Sequence, residues 1–138
     1  MGLNVLIVDD SAAMRSIILK TLQISGLELG NVYQARNGEE ALQMLEENWV
    51  DLALVDINMP IMDGETLINN IRANPDLADL PIVVISTESS EARIVQLRAK
   101  DVEFIHKPFA PETLRETVFH LTGVEHATST VSSGNFDF

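Results

Sequence analysis

Cysteine is absent from the 138 residues, which removes disulfide frameworks, thiolate metal sites and cysteine nucleophiles from consideration. The composition fits a reducing compartment, and any metal must be held by oxygen ligands or histidine. Basic residues are scarce as well. Nine Lys and Arg stand against 21 Asp and Glu, giving a net charge of −12 and a pI near 4.4. A surface that tracks nucleic-acid phosphates needs clustered Lys and Arg, so a nucleic-acid partner is not expected. Long apolar runs are also missing. No stretch approaches the roughly 20 apolar residues that span a bilayer, and no basic leader precedes an apolar segment. These absences lead to the expectation of a soluble, cytoplasmic protein without membrane insertion.

The length suits one domain, large enough to bury roughly 70% of the surface its unfolded chain would expose. Within it, strand-like and helix-like patterns alternate five times, the signature of βαβ units and a mostly parallel sheet. Leu3 to Val8 is almost wholly apolar, as expected of a strand covered on both faces. Ala12 to Ser25 carries Met14, Ile17, Ile18 and Leu22 at helical spacing, with Gly26 placed to end the helix. Val32 to Ala35 reads as a weak second strand, and Asn37 offers an N-cap for a helix carrying Ala41, Leu42 and Leu45. Leu52 to Val55 is the third strand. Pro60, Asp63 and Gly64 mark a loop before a helix carrying Leu67, Ile68 and Ile71, which Asn74, Pro75 and Asp76 close. Ile82 to Ile85 reads as a strand, Ser90 to Ala99 as a more polar helix and Phe104 to His106 as the fifth strand. Pro111 then starts a last helix carrying Leu114, Val118 and Leu121. Residues 1–123 form the expected domain. Residues 124–138, with a Ser/Thr-rich stretch from Thr128 to Ser133, read as a tail.

Four of the apolar runs end at residues able to handle a phosphoryl group: Asp9 and Asp10, Asp56, Ser86, and Lys107. In an open α/β sheet, ligands sit beyond the carboxyl ends of the strands near the point where strand order reverses. Parallel strands would therefore bring three carboxylates, a hydroxyl and an ammonium into one pocket. Clustered carboxylates repel unless a cation favours their ionised forms, and Mg²⁺ accepts such oxygen donors. A carboxylate can also act as a nucleophile and form an aspartyl phosphate. Asp56 is the best candidate because it ends its strand alone, whereas Asp9 and Asp10 are paired as metal-binding groups. Ser86 and Lys107 would then face the phosphoryl oxygens. A lone aspartate after a strand is commonly a helix cap. Four such strand ends in one chain are less easily explained that way.

The stretches Val5 to Asp10 (VLIVDD) and Asp56 to Gly64 (DINMPIMDG), with Ser86 and Lys107-Pro108-Phe109, resemble response-regulator receiver domains, especially single-domain chemotaxis regulators of the CheY type. The likeness runs from about Leu3 to Thr122. It implies a flavodoxin-like, doubly wound five-stranded parallel sheet in the order 2-1-3-4-5 with five helices. It further implies that Asp56 accepts a phosphoryl group from a histidine kinase and later loses it by hydrolysis. Asp10, Asp56 and the backbone carbonyl of Asn58 would hold Mg²⁺ directly, and Asp9 through water. Lys107 would pair with the phosphate. Ser86 and Phe104 take the family's two switch positions, while Asn58 and Glu88 flank the path of the hydrolytic water. Output would pass through the fourth helix, fifth strand and fifth helix to a target protein, such as a flagellar motor component or an adaptor. A phosphorelay intermediate, passing the group to a histidine phosphotransfer protein, is the alternative within signalling.

Two departures from the family pattern stand out. Phe104 replaces the common switch tyrosine, leaving only an apolar ring. Lys100 and Asp101 replace a Gly-Ala turn, where a left-handed conformation is costlier without glycine; a shifted loop is expected there. Among other classes, an aspartate-nucleophile phosphatase is disfavoured because Asn58 stands where a second catalytic aspartate would be needed. A flavin binder is disfavoured by carboxylates that would repel its phosphate. The expected chemistry is self-catalysed phosphotransfer and dephosphorylation, not metabolic turnover. His106, His120 and His126 lack metal-binding spacing. Met59 and Met62 are expected to pack within their loop, and Trp49 near the end of the second helix. Phe136 and Phe138 could anchor the tail to a partner or to the domain.

Overall fold

The computed structural model describes residues 2–123. Five strands and five helices alternate along the chain: β1 (Leu3–Val8), α1 (Ala12–Ile24), β2 (Leu29–Ala35), α2 (Gly38–Glu47), β3 (Leu52–Val55), α3 (Gly64–Ala73), β4 (Ile82–Ser86), α4 (Glu91–Arg98), β5 (Glu103–His106) and α5 (Pro111–Thr122). All strand pairs are parallel and their order is β2-β1-β3-β4-β5. This is the expected flavodoxin-like arrangement. The central strands β1, β3 and β4 are buried at nearly every position, as their continuous apolar runs require.

Alternate strand residues point to opposite faces and build two apolar layers. Val5, Ile7, Leu54, Val83 and Ile85 pack with Ile18 and Leu22 of α1 and Leu114 and Val118 of α5. Leu6, Val8, Ala53, Val55, Ile82 and Val84 pack against α2, α3 and Leu97 of α4. Each leucine or isoleucine so buried contributes roughly 1.5–3 kcal/mol relative to exposure. Together the layers fix strand register, and hence where the strand ends fall.

Helix starts are capped by their own sequences. Ser11, Asn37, Asp63 and Ser90 each accept a backbone N–H from three residues ahead. For α5, Pro111 occupies the first turn with no side-chain cap. Gly26 and Gly123 end α1 and α5 with φ of 90° and 74°.

Some features depart from expectation, including β5, which begins at Glu103 and not at Phe104. β2 begins at Leu29, earlier than Val32, because Leu3 pairs with Leu29 across the sheet edge. β4 continues to Ser86, which pairs with His106. Trp49 follows α2 but does not pack there: its side chain is 77% exposed, and Nε1 donates to Asp51 Oδ1 at 2.8 Å. Met59 and Met62, by contrast, do pack against the α2/α3/α4 layer. His126, Phe136, Phe138 and the Ser/Thr-rich stretch lie outside the described residues.

Candidate functional site

From β1 the chain steps outward to β2, then returns to β3 on the other side, so strand order reverses between β1 and β3. Val8 and Val55 are register partners, and the Asp56 N–H donates to the Val8 carbonyl at 2.9 Å. Asp9 and Asp56 are consequently neighbours at the mouth of the sheet. The carboxylates of Asp9, Asp10 and Asp56 each offer an oxygen, all within 4.8 Å of one another. No other such acidic or histidine cluster occurs among the described residues, and His106 and His120 are exposed.

Asp9 is the most enclosed of the three. Its Oδ1 accepts the Ser11 N–H at 2.9 Å, and Arg15 Nη1 holds its carbonyl at 2.7 Å. The Lys107 ammonium reaches over from the end of β5, 3.4 Å from Asp9 Oδ2 and 3.9 Å from Asp56 Oδ1. That placement follows from sheet pairing, because the Lys107 N–H donates to the Ser86 carbonyl at 2.8 Å. The peptide between Lys107 and Pro108 is cis. Burial pushes the Asp56 carboxyl above its ordinary pKa; Lys107 opposes that shift, and the charge on Asp9 adds to it. Backbone N–H groups of Ile57 and Asn58 also oppose it.

The loop between Asp56 and α3 is shaped by two close constraints. Gly64 lies against the Asp56 carbonyl, and a Cβ there would collide with the backbone of Asp56 and Ile57. Its N–H donates to the Ile57 carbonyl at 2.9 Å, closing the loop on itself. Ile61 has φ of 68°, and Met62 N–H bonds to the Pro60 carbonyl at 2.7 Å. This is a γ-turn of the rarer, strained hand, centred on a β-branched residue that is 75% exposed.

The remaining candidates fall into different environments. Ser86 is fully buried, and its hydroxyl oxygen accepts the Glu88 N–H at 3.0 Å. The Glu88 carboxylate accepts the Ser90 N–H at 3.0 Å, so it is tied to the start of α4. Phe104 is half-buried against the α2/α3/α4 layer. Asn58 lines a cavity of about 400 Å³ with Asp10, Met59, Asp63 and Arg93. Arg93 was not legible from sequence. It enters this cavity because it stands three residues past the Ser90 cap, and its Nη2 pairs with Glu65 of α3 at 3.0 Å. A larger cavity, of about 960 Å³, lies elsewhere, at the opposite end of the strands.

Residues 5–119 match the family model described as the response regulator receiver domain. The chain belongs to that family. This receiver is 37% identical over 123 residues to a chemotaxis protein CheY homolog of Campylobacter jejuni, covering 88% of this chain and 93% of that protein. Among solved structures, CheY4 of Vibrio cholerae superposes with a TM-score of 0.77 at 32% identity, covering 88% of this receiver and 99% of that chain. A putative response regulator from Chloroflexus aurantiacus gives a TM-score of 0.81 at 27% identity, covering 89% and 99%. No helix of the described residues is long and apolar enough to cross a membrane.

Proposed function

We propose that this receiver is a phosphorylation-dependent switch of the chemotaxis type, with Asp56 as phosphoacceptor. The observation that carries the reading is the Asp56 carboxylate at the strand-order reversal, flanked by Lys107 at 3.9 Å and by Asp9 and Asp10 within 4.8 Å. An Asp56 oxygen attacks phosphorus, the bond from phosphorus to a kinase histidine nitrogen breaks, and the imidazole keeps the electron pair. Water later attacks the same phosphorus, releasing inorganic phosphate and restoring the carboxylate. Lys107 supplies positive charge to the phosphoryl oxygens.

Three hard oxygen donors in so small a space fit Mg²⁺, which favours carboxylates, carbonyls and water. Asp10, Asp56 and the Asn58 carbonyl would hold the ion directly, and Asp9 through water. When bound, it adds positive charge beside the phosphoryl oxygens. Ser86 carries the switch inward through its hydroxyl, and Phe104 repacks in response, biasing two conformations that already exist. Asn58 and Glu88 set the rate of hydrolysis. Residues 1–123 act as the receiver and 124–138 as an appended tail. Output through α4, β5 and α5 reaches a separate cytoplasmic target, a flagellar motor component or an adaptor. The C. jejuni relative named a chemotaxis protein supports that reading over a relay intermediate.

Intact-mass measurement after acetyl phosphate and Mg²⁺ tests the chemistry. One phosphoryl adduct is expected in the wild type, none in Asp56→Asn and a slowed yield in Lys107→Ala. An adduct that persists in Asp56→Asn would overturn the assignment. Transfer from the phosphorylated protein to a histidine phosphotransfer domain, without phosphorylation-dependent target binding, would favour the relay.

A further inference from the structure

A cavity of about 960 Å³ runs beneath the N-terminal edge of the sheet, at the far end from Asp56. That volume falls at the upper end of the roughly 300–1,000 Å³ typical of built binding sites. Its apolar lining comes from elements distant in sequence: Leu3 at the start of β1, Leu45 of α2, Leu80 and Pro81 before β4, and Leu121 of α5. At its rim stands Trp49, 77% exposed. Asp51 holds the indole by its N–H and also accepts the Asn4 N–H at 2.8 Å, so the ring is fixed by its edge while staying accessible. A large aromatic, preorganised and exposed beside an apolar groove, is the residue type that dominates binding energy when covered.

The charge on this groove has one sign. Glu46, Glu47, Asp51, Asp76 and Asp79 line it, with no Lys, Arg or His among the described lining residues. Asp51 is committed to Trp49 and Asn4, Glu47 meets Gln43 at 3.3 Å, and Asp79 feels the nearby Arg72. Glu46 and Asp76, both exposed on the groove lining, make no hydrogen bond through their side chains to any described residue that would offset this charge. The chain's own continuation after Gly123 starts beside Leu121 and Thr122. It brings Glu125 and Asp137 and no Lys or Arg. A second copy would oppose acidic rim to acidic rim. Neither is complementary.

We propose that this groove docks a basic segment of another protein, with an apolar side chain seated on Leu45, Leu80 and Leu121 and an Arg or Lys stacked on Trp49 between Glu46 and Asp76. A cation over an indole face gains both from the ring quadrupole and from flanking carboxylates. β3 separates this edge from Asp56, so a partner held here leaves the phosphoacceptor open. The inference does not depend on the phosphorylation chemistry.

The probe is a capped ten-residue peptide of alternating Arg and Leu, titrated into the full chain by calorimetry and by emission of Trp49, the sole tryptophan. The expected result is saturable binding with an emission shift, weakened at least about tenfold in Trp49→Ala and in the Glu46→Gln/Asp76→Asn pair. Glu112→Gln/Glu116→Gln on α5 removes the same charge outside the groove and is expected to change affinity by less than about twofold. Trp49 is exposed, so its loss leaves the fold intact; the rim pair tests the groove independently of the ring. Equal weakening in the rim pair and the α5 pair would overturn the proposal in favour of unspecific charge attraction. So would no binding at about 1 mM peptide. A Trp49 emission shift on truncation after Gly123 would place the tail in the groove. Concentration-dependent dimerisation lost in Trp49→Ala would place a second copy there. Either result overturns the assignment to a basic partner.

Discussion

Arg72 Nη2 donates to the carbonyl of Asp101 at 2.8 Å, joining the last turn of α3 to the turn before β5. Asp101 has φ of 64°, the left-handed region that costs most residues about 1–2 kcal/mol. The same guanidinium donates to the carbonyls of Lys100 at 3.0 Å, Ala78 at 3.0 Å and Leu80 at 2.8 Å. Burial lowers the Arg72 pKa, with Asp101 and Asp79 opposing, and the fork stays cationic. The turn therefore keeps its left-handed residue without glycine, because one side chain pins it from below.

Arg72→Ala leaves four carbonyls without this donor and should cost about 2–4 kcal/mol in urea unfolding. Arg72→Lys should recover less than half, since a single ammonium cannot reproduce the planar fork. Asp101→Gly should gain up to about 1 kcal/mol. An Arg72→Ala loss within about 0.5 kcal/mol would show the clamp to be unimportant.

Ile61 combines φ of 68° with 75% exposure, so its strain is not offset by burial. Ile61→Gly should stabilise the protein by about 1 kcal/mol, and Ile61→Asn by somewhat less, read as a rise in melting temperature. A fall in both would mean that the side chain makes an interaction stronger than the strain.

The Asp63 carboxylate caps α3 by accepting the Thr66 N–H at 2.8 Å, and this bond holds its pKa below the ordinary 3.8. A depressed folded pKa gives stability that is present above the unfolded pKa and lost as pH falls through the folded one. Asp63→Ala should cost about 1 kcal/mol at neutral pH. That difference should shrink steadily on acidification below about pH 4. Denaturation curves across pH check it, and a pH-independent difference would rule out the charged cap.

Asp56 has the opposite sign, since burial raises its carboxyl pKa and ionisation therefore weakens the folded state. In chelator, Asp56→Asn should raise stability by on the order of 1 kcal/mol. Added Mg²⁺ should stabilise the wild type more than the variant, narrowing or reversing the gap. Identical Mg²⁺ responses would separate Asp56 from the metal.

Much of this was legible because strand and cap signals are local. β1 and β3 announce themselves by continuous apolar runs, and Asn37, Asp63 and Ser90 by cap chemistry. The start of β2 was not, because Gly30 and Asn31 have poor strand propensity and sit at a register shift between the Leu3–Leu29 and Val5–Val32 pairs, where the Asn4 side chain accepts the Asn31 N–H at 2.8 Å. Asp9, Asp56 and Lys107 were readable as strand-end residues, since parallel topology alone converges them. Arg72 was invisible for the reverse reason: its partners are backbone carbonyls, which no residue type flags. Trp49 misled, because an indole can be held by its N–H edge at the surface instead of by its face in the core.

The position of that indole also decides how the protein can be watched. From Trp49 to Asp56 the chain runs the length of β3, roughly 20 Å at strand rise. The sole native fluorophore of its kind therefore reports on the wrong end of the sheet, and its emission should stay silent while ions or phosphoryl groups come and go at the acids. Following that chemistry by light requires a tryptophan introduced in the loop after Asp56, with Trp49 replaced.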